Sequence, residues 1–130
     1  MLKTNAENGH KSLVIMDDVS SALKDKEVQR YLRIIGKNRR HLKTTVICLL
    51  QSYFDMPLAV REQATNLIVF KCNKTQMEKL FREQIDTAKD KFIDICNYCY
   101  KNEHDYMFVN TTSKRIYNTD WNEIIYENQI

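Results

Sequence analysis

Glycine is scarce in this chain: 130 residues contain two, Gly9 and Gly36, where average usage gives roughly nine. Phosphate-cradling loops of the GxxxxGK(S/T) or GxGxxG kind need several positions where the backbone turns without a Cβ. No such loop can be built from these residues, so any nucleotide chemistry must borrow its phosphate loop from elsewhere. Proline occurs once, at Pro57, and no Pro/Gly linker, internal repeat or low-complexity tract divides the chain. It reads as one compact α/β unit. No apolar run approaches the length of a membrane span and no signal peptide precedes the four cysteines at 48, 72, 96 and 99, so membrane insertion is not expected and a reducing, intracellular setting is. Excess charge is also small: 20 Lys and Arg against 17 Asp and Glu leave +3, which permits a nucleic-acid partner without requiring one.

What is present suffices for one modest domain, since 43% of the residues are apolar, and rules out a disordered chain or a multi-domain enzyme. Three short apolar runs stand out: Leu13-Val14-Ile15-Met16, Val46-Ile47-Cys48-Leu49-Leu50 and Leu67-Ile68-Val69-Phe70. Continuous apolarity is the pattern of strands buried on both faces, and predicts three strands of one parallel sheet covered by helices. Val28, Tyr31, Leu32 and Ile35 repeat at helical spacing between the first two runs, with Asp25 as N-cap and Gly36 as the C-terminal stop. Pro57 can open a short helix toward Ala64. Thr75 to Glu78 reads as a capping box for a helix carrying Met77, Leu80, Phe81 and Ile85, and Phe92, Ile95, Cys96 and Cys99 mark another. Residues 106–109 and 115–117 predict a β-hairpin, and Trp121, Ile124 and Ile125 one closing helical turn.

The first strand ends in two consecutive carboxylates, Asp17 and Asp18. A P-loop NTPase needs such a strand, because one acid faces the Mg²⁺ that bridges the nucleotide phosphates while the next positions the attacking water. In that role Asp17 is the magnesium-side residue and Asp18 the catalytic carboxylate; a buried strand running into a solvated acidic turn has the same appearance. The second strand ends in Gln51, placed to sense the γ-phosphate or the water by a hydrogen bond, although a polar residue at a strand end is commonplace. Arg40, within Lys37-Asn38-Arg39-Arg40-His41-Leu42-Lys43, offers a guanidinium for transition-state charge, or a solvated basic turn that touches phosphates. Cys96 and Cys99 form a CxxC without a second Cys/His pair and are better read as helix core than as zinc ligands.

The apolar-plus-acid run of residues 13–19, Arg39-Arg40-His41, residues 46–50 with Gln51-Ser52-Tyr53, Met56-Pro57, Val60-Arg61 and residues 67–70, in that order, resemble the poxvirus-type genome-packaging ATPases of the FtsK/HerA superfamily. Asp105-Tyr106-Met107-Phe108-Val109 and Lys114-Arg115-Ile116-Tyr117 resemble that family's closing hairpin, so the likeness runs from Leu13 nearly to the end. The resemblance implies a partial P-loop NTPase (RecA/ASCE-like) domain over 1–130, beginning at the Walker B strand (13–18). It implies an ATP- and Mg²⁺-dependent translocase that forms a homo-oligomeric ring, acts on double-stranded DNA, meets capsid or portal components, and works in the host cytoplasm or virus factory, with association to the virion. By position, Asp17 and Asp18 match the Walker B acids, Gln51 the polar sensor, Arg40 (with Arg39 as the alternative) the arginine finger, and Arg61 a further nucleotide-side arginine.

One part of the pattern is missing. The family's Walker A loop precedes its Walker B strand, yet twelve residues stand before Leu13, where a strand, loop and helix need roughly thirty. The chain then reads either as the C-terminal portion of a split or truncated ATPase, inactive alone, or as a degenerate paralogue serving as a DNA-binding or scaffolding subunit. Retention of Asp17, Asp18, Arg40 and Gln51 together favours the first. A metal-dependent nuclease using Asp17, Asp18 and Asp55 is a third reading, weakened because no further carboxylate sits at a convincing strand end.

Overall fold

The computed structural model describes residues 1–18, 20–87 and 89–126. Val19, which closes the first acidic run, lies outside them. The chain forms two compact units, Met1–Ala64 and Thr65–Ile130, each with its own sheet.

In the first unit a short helix α1 (Leu2–Glu7) leads into β1 (Ser12–Asp17), helix α2 (Lys26–Asn38), β2 (Thr44–Leu49) and a four-residue helix α3 (Leu58–Arg61). β1 and β2 are parallel, in register from Ser12 opposite Thr44 to Asp17 opposite Leu49, and α2 is the crossover between them. Asp25 starts that helix as the sequence predicts: its Oδ1 accepts from Glu27 N at 2.7 Å and Val28 N at 3.2 Å, a cap of about 1 kcal/mol. Gly36 does not stop it. The helix runs on to Asn38, and a Cβ at Gly36 would sit 3.1 Å from Gln63 Cγ and 3.2 Å from Gln63 Cβ. Glycine there serves close packing against the turn after α3.

The core of this unit is Leu23, Leu32 and Met56, with Met16, Val28, Cys48, Leu50 and Val60 packed around it. One face of the strand pair supplies it. The other face is open: exposure alternates along β1 and β2, leaving Leu13, Ile15, Ile47 and Leu49 exposed. Continuous apolarity therefore does not mark burial on both faces here, because α2 and its neighbours cover one side of the sheet.

In the second unit β3 (Asn66–Phe70) is followed by α4 (Lys74–Leu80), a π-helical turn (Phe81–Ile85), α5 (Lys89–Cys99), β4 (Tyr106–Asn110), β5 (Arg115–Tyr117) and β6 (Glu123–Ile124). The expectation that the third apolar run joins the other two is corrected: β3 pairs antiparallel with β4, in a sheet of order β3-β4-β5-β6. Apolarity shows that a strand wants cover and is silent about which partner it takes. In the antiparallel register Leu67 faces Val109 and Val69 faces Met107, which places the half-buried residues of β3 beside the fully buried residues of β4.

The hairpin of β4 and β5 stands as the sequence predicts, with Val109 opposite Ile116. The closing helical turn is replaced by β6. Asn118 Oδ1 accepts from Asp120 N and Asn122 N and Trp121 takes φ 62°; this tight turn brings Ile124 opposite Ile116. The start of α4 is also shifted from the predicted capping box, since Asn73 accepts from Gln76 N at 2.9 Å and Thr75 lies inside the helix. The helical faces themselves hold: Met77, Leu80, Phe81, Ile85, Phe92, Ile95 and Cys99 are buried with Met107, Val109 and Ile116.

Three thiols and a phenol gather where α5 ends. Tyr100 donates to the Val69 carbonyl at 2.8 Å. Burial and then neighbouring Cys72 push Cys96 from its ordinary 9.0 up to about 11, against the opposing Lys71. Burial and then Cys96 push Cys99 up to about 12, and burial raises Tyr100 as well. These acids keep their protons longer when folded than when unfolded. Their stabilisation is whole below pH 9 and is lost as pH rises through about 11 and 12. The midpoint of urea unfolding is expected to fall steadily above pH 9, and to fall less in a Cys96→Ala, Cys99→Ala chain. Equal slopes in the two proteins would refute the assignment.

Candidate functional site

Two parallel strands in register end at the same sheet edge, and the segments leaving the two strands meet there. β1 terminates at Asp17, and Asp18 turns the chain with φ 48°, a left-handed conformation that aspartate tolerates better than most non-glycine residues. β2 terminates at Leu49, opposite Asp17, and Gln51 lies two residues further on. Gln51 Nε2 approaches Asp18 Oδ1 at 3.5 Å. This is a long contact between two exposed side chains, so the Asp18 carboxylate stays open to solvent and to a ligand.

The loops carrying these residues are tied to each other. Ser20 Oγ donates to Asp55 Oδ2 at 2.7 Å, linking the turn after β1 to the 3-10 turn Tyr53–Asp55 after β2. Ser52 Oγ caps that turn by accepting from Phe54 N at 3.3 Å. Arg61 places its guanidinium over the Tyr53 ring, 4.9 Å from the centroid, a cation–π stack. Sequence reading gave no role to Ser20, and named Tyr53 only within the run that carries the resemblance. Residues 35 apart give no local pattern, and a serine or tyrosine in a polar turn carries no signal of its own.

Asp18 and Gln51 are thus brought together, with Asp17 at the same sheet edge opposite Leu49, and Arg61 is stacked on Tyr53 in the segment that follows β2. Arg39 and Arg40 are not: both precede Thr44, at the opposite end of β2, a strand length of about 17 to 20 Å away. The two arginines also differ. Arg39 donates from Nη1 to the Gly36 carbonyl at 2.9 Å and is half-buried, while Arg40 is exposed.

Among the described residues no group of three or more His, Cys, Asp or Glu is placed to hold a metal. Asp17, Asp18 and Asp55 therefore do not form a three-carboxylate set, and Asp55 instead accepts from Ser20. Magnesium bound to a nucleotide asks for less, because it takes one or two carboxylates and fills its remaining positions with phosphates and water. The exposed pair Asp17 and Asp18 fits that demand. Cys48 faces inward, its Sγ 4.0 Å from Met16 Sδ, and belongs to the core. No described helix is long and apolar enough to cross a membrane.

A family model described as Poxvirus A32 protein matches residues 1–129. No curated protein and no solved structure matches the chain.

Proposed function

The chain belongs to the Poxvirus A32 protein family, and from that premise we propose that it carries the Walker B side of an ATP-driven motor that moves viral DNA into a capsid. The observation that supports this most is the convergence of Asp17, Asp18 and Gln51 on the carboxyl edge of two parallel strands in register, where ligands of open parallel sheets bind.

In this reading the fold is part of a P-loop NTPase sheet of the FtsK/HerA kind, and the substrate is ATP. Mg²⁺, when bound with the nucleotide, neutralises charge on the phosphates. Asp17 would hold it through a water. Asp18 accepts the proton of the attacking water or orients it, and Gln51, a side-chain length away, fixes that water or the terminal phosphate by a hydrogen bond. Arg61, stacked on Tyr53, would serve as the further nucleotide-side arginine. Arg40, exposed and far from these acids along β2, suits action on the nucleotide of a neighbouring subunit in a ring, whereas the Arg39 guanidinium is already committed to its own helix end.

These 130 residues contain no phosphate loop, so the backbone N–H nest and lysine that grip the β- and γ-phosphates come from another polypeptide segment. Without it the chain neither binds ATP tightly nor hydrolyses it. The test is to search the neighbouring DNA for a strand leading into GxxxxGK(S/T), co-express that segment with this chain, and measure ATP hydrolysis with and without duplex DNA. Co-purification with DNA-stimulated hydrolysis, absent from either piece alone, is the expected result. Failure of the pieces to associate would turn the assignment toward a non-catalytic subunit.

A further inference from the structure

Helix α2 carries a row of cations on its outer side that neither the core nor the strand-end site uses. Lys26, Arg30, Arg33 and Lys37 are all exposed, and their spacing of four, three and four residues confines them to an arc of roughly 60° at 3.6 residues per turn. Val28 and Leu32, which face the core, lie on the other side of the helix. No carboxylate falls within the arc. Asp25 is turned toward the helix start, where it caps Glu27 and Val28, and no ion pair among the described residues neutralises any of the four. The Arg30 guanidinium lies over the Tyr31 ring at 5.2 Å. Charge is unevenly shared along the chain: residues 1–64 hold 11 Lys and Arg against 7 Asp and Glu, and residues 65–130 hold 9 against 10.

We propose that this row is a contact surface for the phosphate backbone of duplex DNA. From Lys26 to Lys37 the helix rises about 16 Å, while one DNA strand presents a phosphate every 3.4 Å of axis. An evenly spaced row of four cations with no apolar side chain between them matches a repeating line of like charges. It lacks the central apolar anchor by which a protein partner is held. A lipid surface is disfavoured because Val28 and Leu32 of α2 are committed to the core, which leaves Tyr31 and Ile34, outside the cationic arc, as its exposed large apolar side chains, too few for an apolar face that lies in a membrane. The contacts are to phosphates and are therefore blind to sequence. This inference rests on the reading that the chain works on duplex DNA, but its binding needs no nucleotide, so a failed ATPase assembly would leave it standing.

The test uses the full chain and a 30-base-pair fluorescent duplex, with anisotropy monitored from 50 to 200 mM salt. Substituting Lys26, Arg30, Arg33 and Lys37 together by Gln keeps helix propensity and removes up to four phosphate contacts. The slope of log affinity against log salt is expected to fall by about 3, at about 0.9 per contact. The pair Arg33→Gln and Lys37→Gln should lower it by about half as much, which keeps the test open if the fourfold variant folds poorly. A chain with Lys11, Lys71, Lys74 and Lys101 changed to Gln loses the same net charge and should bind as the wild type does. Equal weakening of this control and the fourfold variant, wild-type binding by the fourfold variant, or no duplex binding at 50 mM salt would each overturn the proposal. Binding to phosphatidylserine vesicles without binding to DNA would overturn it in favour of a membrane.

Discussion

Asp18→Asn is expected to lower the kcat of the assembled ATPase by about 10²–10⁴-fold, the range associated with loss of a general acid or base, while KM for ATP changes little. The choice of asparagine matters because Asp18 turns the chain at φ 48°, and asparagine is the other residue that visits this region readily. Its side chain has nearly the same shape and retains an oxygen for the Gln51 Nε2 contact seen at 3.5 Å. What is removed is the negative charge and the capacity to accept a proton from water. Alanine would confuse the result, since a residue without a local polar side chain incurs a cost of roughly 1–2 kcal/mol in the left-handed region. A thermal midpoint unchanged from wild type, together with the loss in kcat, identifies a chemical role. Hydrolysis surviving the substitution would remove Asp18 from the mechanism and leave Asp17 as the acid to examine.

Ile116→Ala is expected to destabilise the second unit by about 2–5 kcal/mol, the range for deleting the side chain of a buried isoleucine. Ile116 is wholly buried, as are Met107 and Val109. It sits in the middle of β5, with Val109 opposite on one side and Ile124 on the other. Truncation opens a cavity at the point where three strands meet, and short strands such as β5 and β6 have few other contacts by which to close it. Domains of this size are stable by about 5–15 kcal/mol in total, so the loss is a large share. Urea unfolding should show the midpoint shift, with Ile116→Val costing about 0.5–1.5 kcal/mol. A shift for alanine no larger than for valine would mean that the core is not centred on this residue.

The elements and their buried faces were legible in the sequence where a single physical pattern decides them. Asp25 at a helix start and the Met77, Leu80, Phe81, Ile85 face come from spacing alone, and so does the 28-31-32-35 stripe of α2 except at Tyr31, which the structure leaves exposed. Pairing was not legible, because β3 has the same apolar look as β1 and β2, and its partner is settled by Met107 and Val109 some forty residues later. Gly36 misled for a related reason: whether a glycine ends a helix or admits a neighbour depends on Gln63, which local pattern does not reveal. The candidate site divides in the same way. Asp17, Asp18 and Gln51 are found by reading strand ends, whereas the Ser20 to Asp55 tie and the Tyr53 to Arg61 stack are products of folding. The opposite placement of Arg39 and Arg40 could not be read until β2 had been given a direction and a length.

The half-bare strand pair of the first unit also governs how this protein will behave in a tube. Among the described residues β1 and β2 bond to each other and to no third strand, so each keeps a row of backbone donors and acceptors without a strand partner along its outer edge. Beside those edges stand the uncovered side chains of Leu13, Ile15, Ile47 and Leu49. Open edges next to an apolar surface are templates for strand addition between chains. Purified alone, the protein should therefore show a solubility ceiling, with light scattering that rises steeply with concentration, and the short length of the strands is its chief protection.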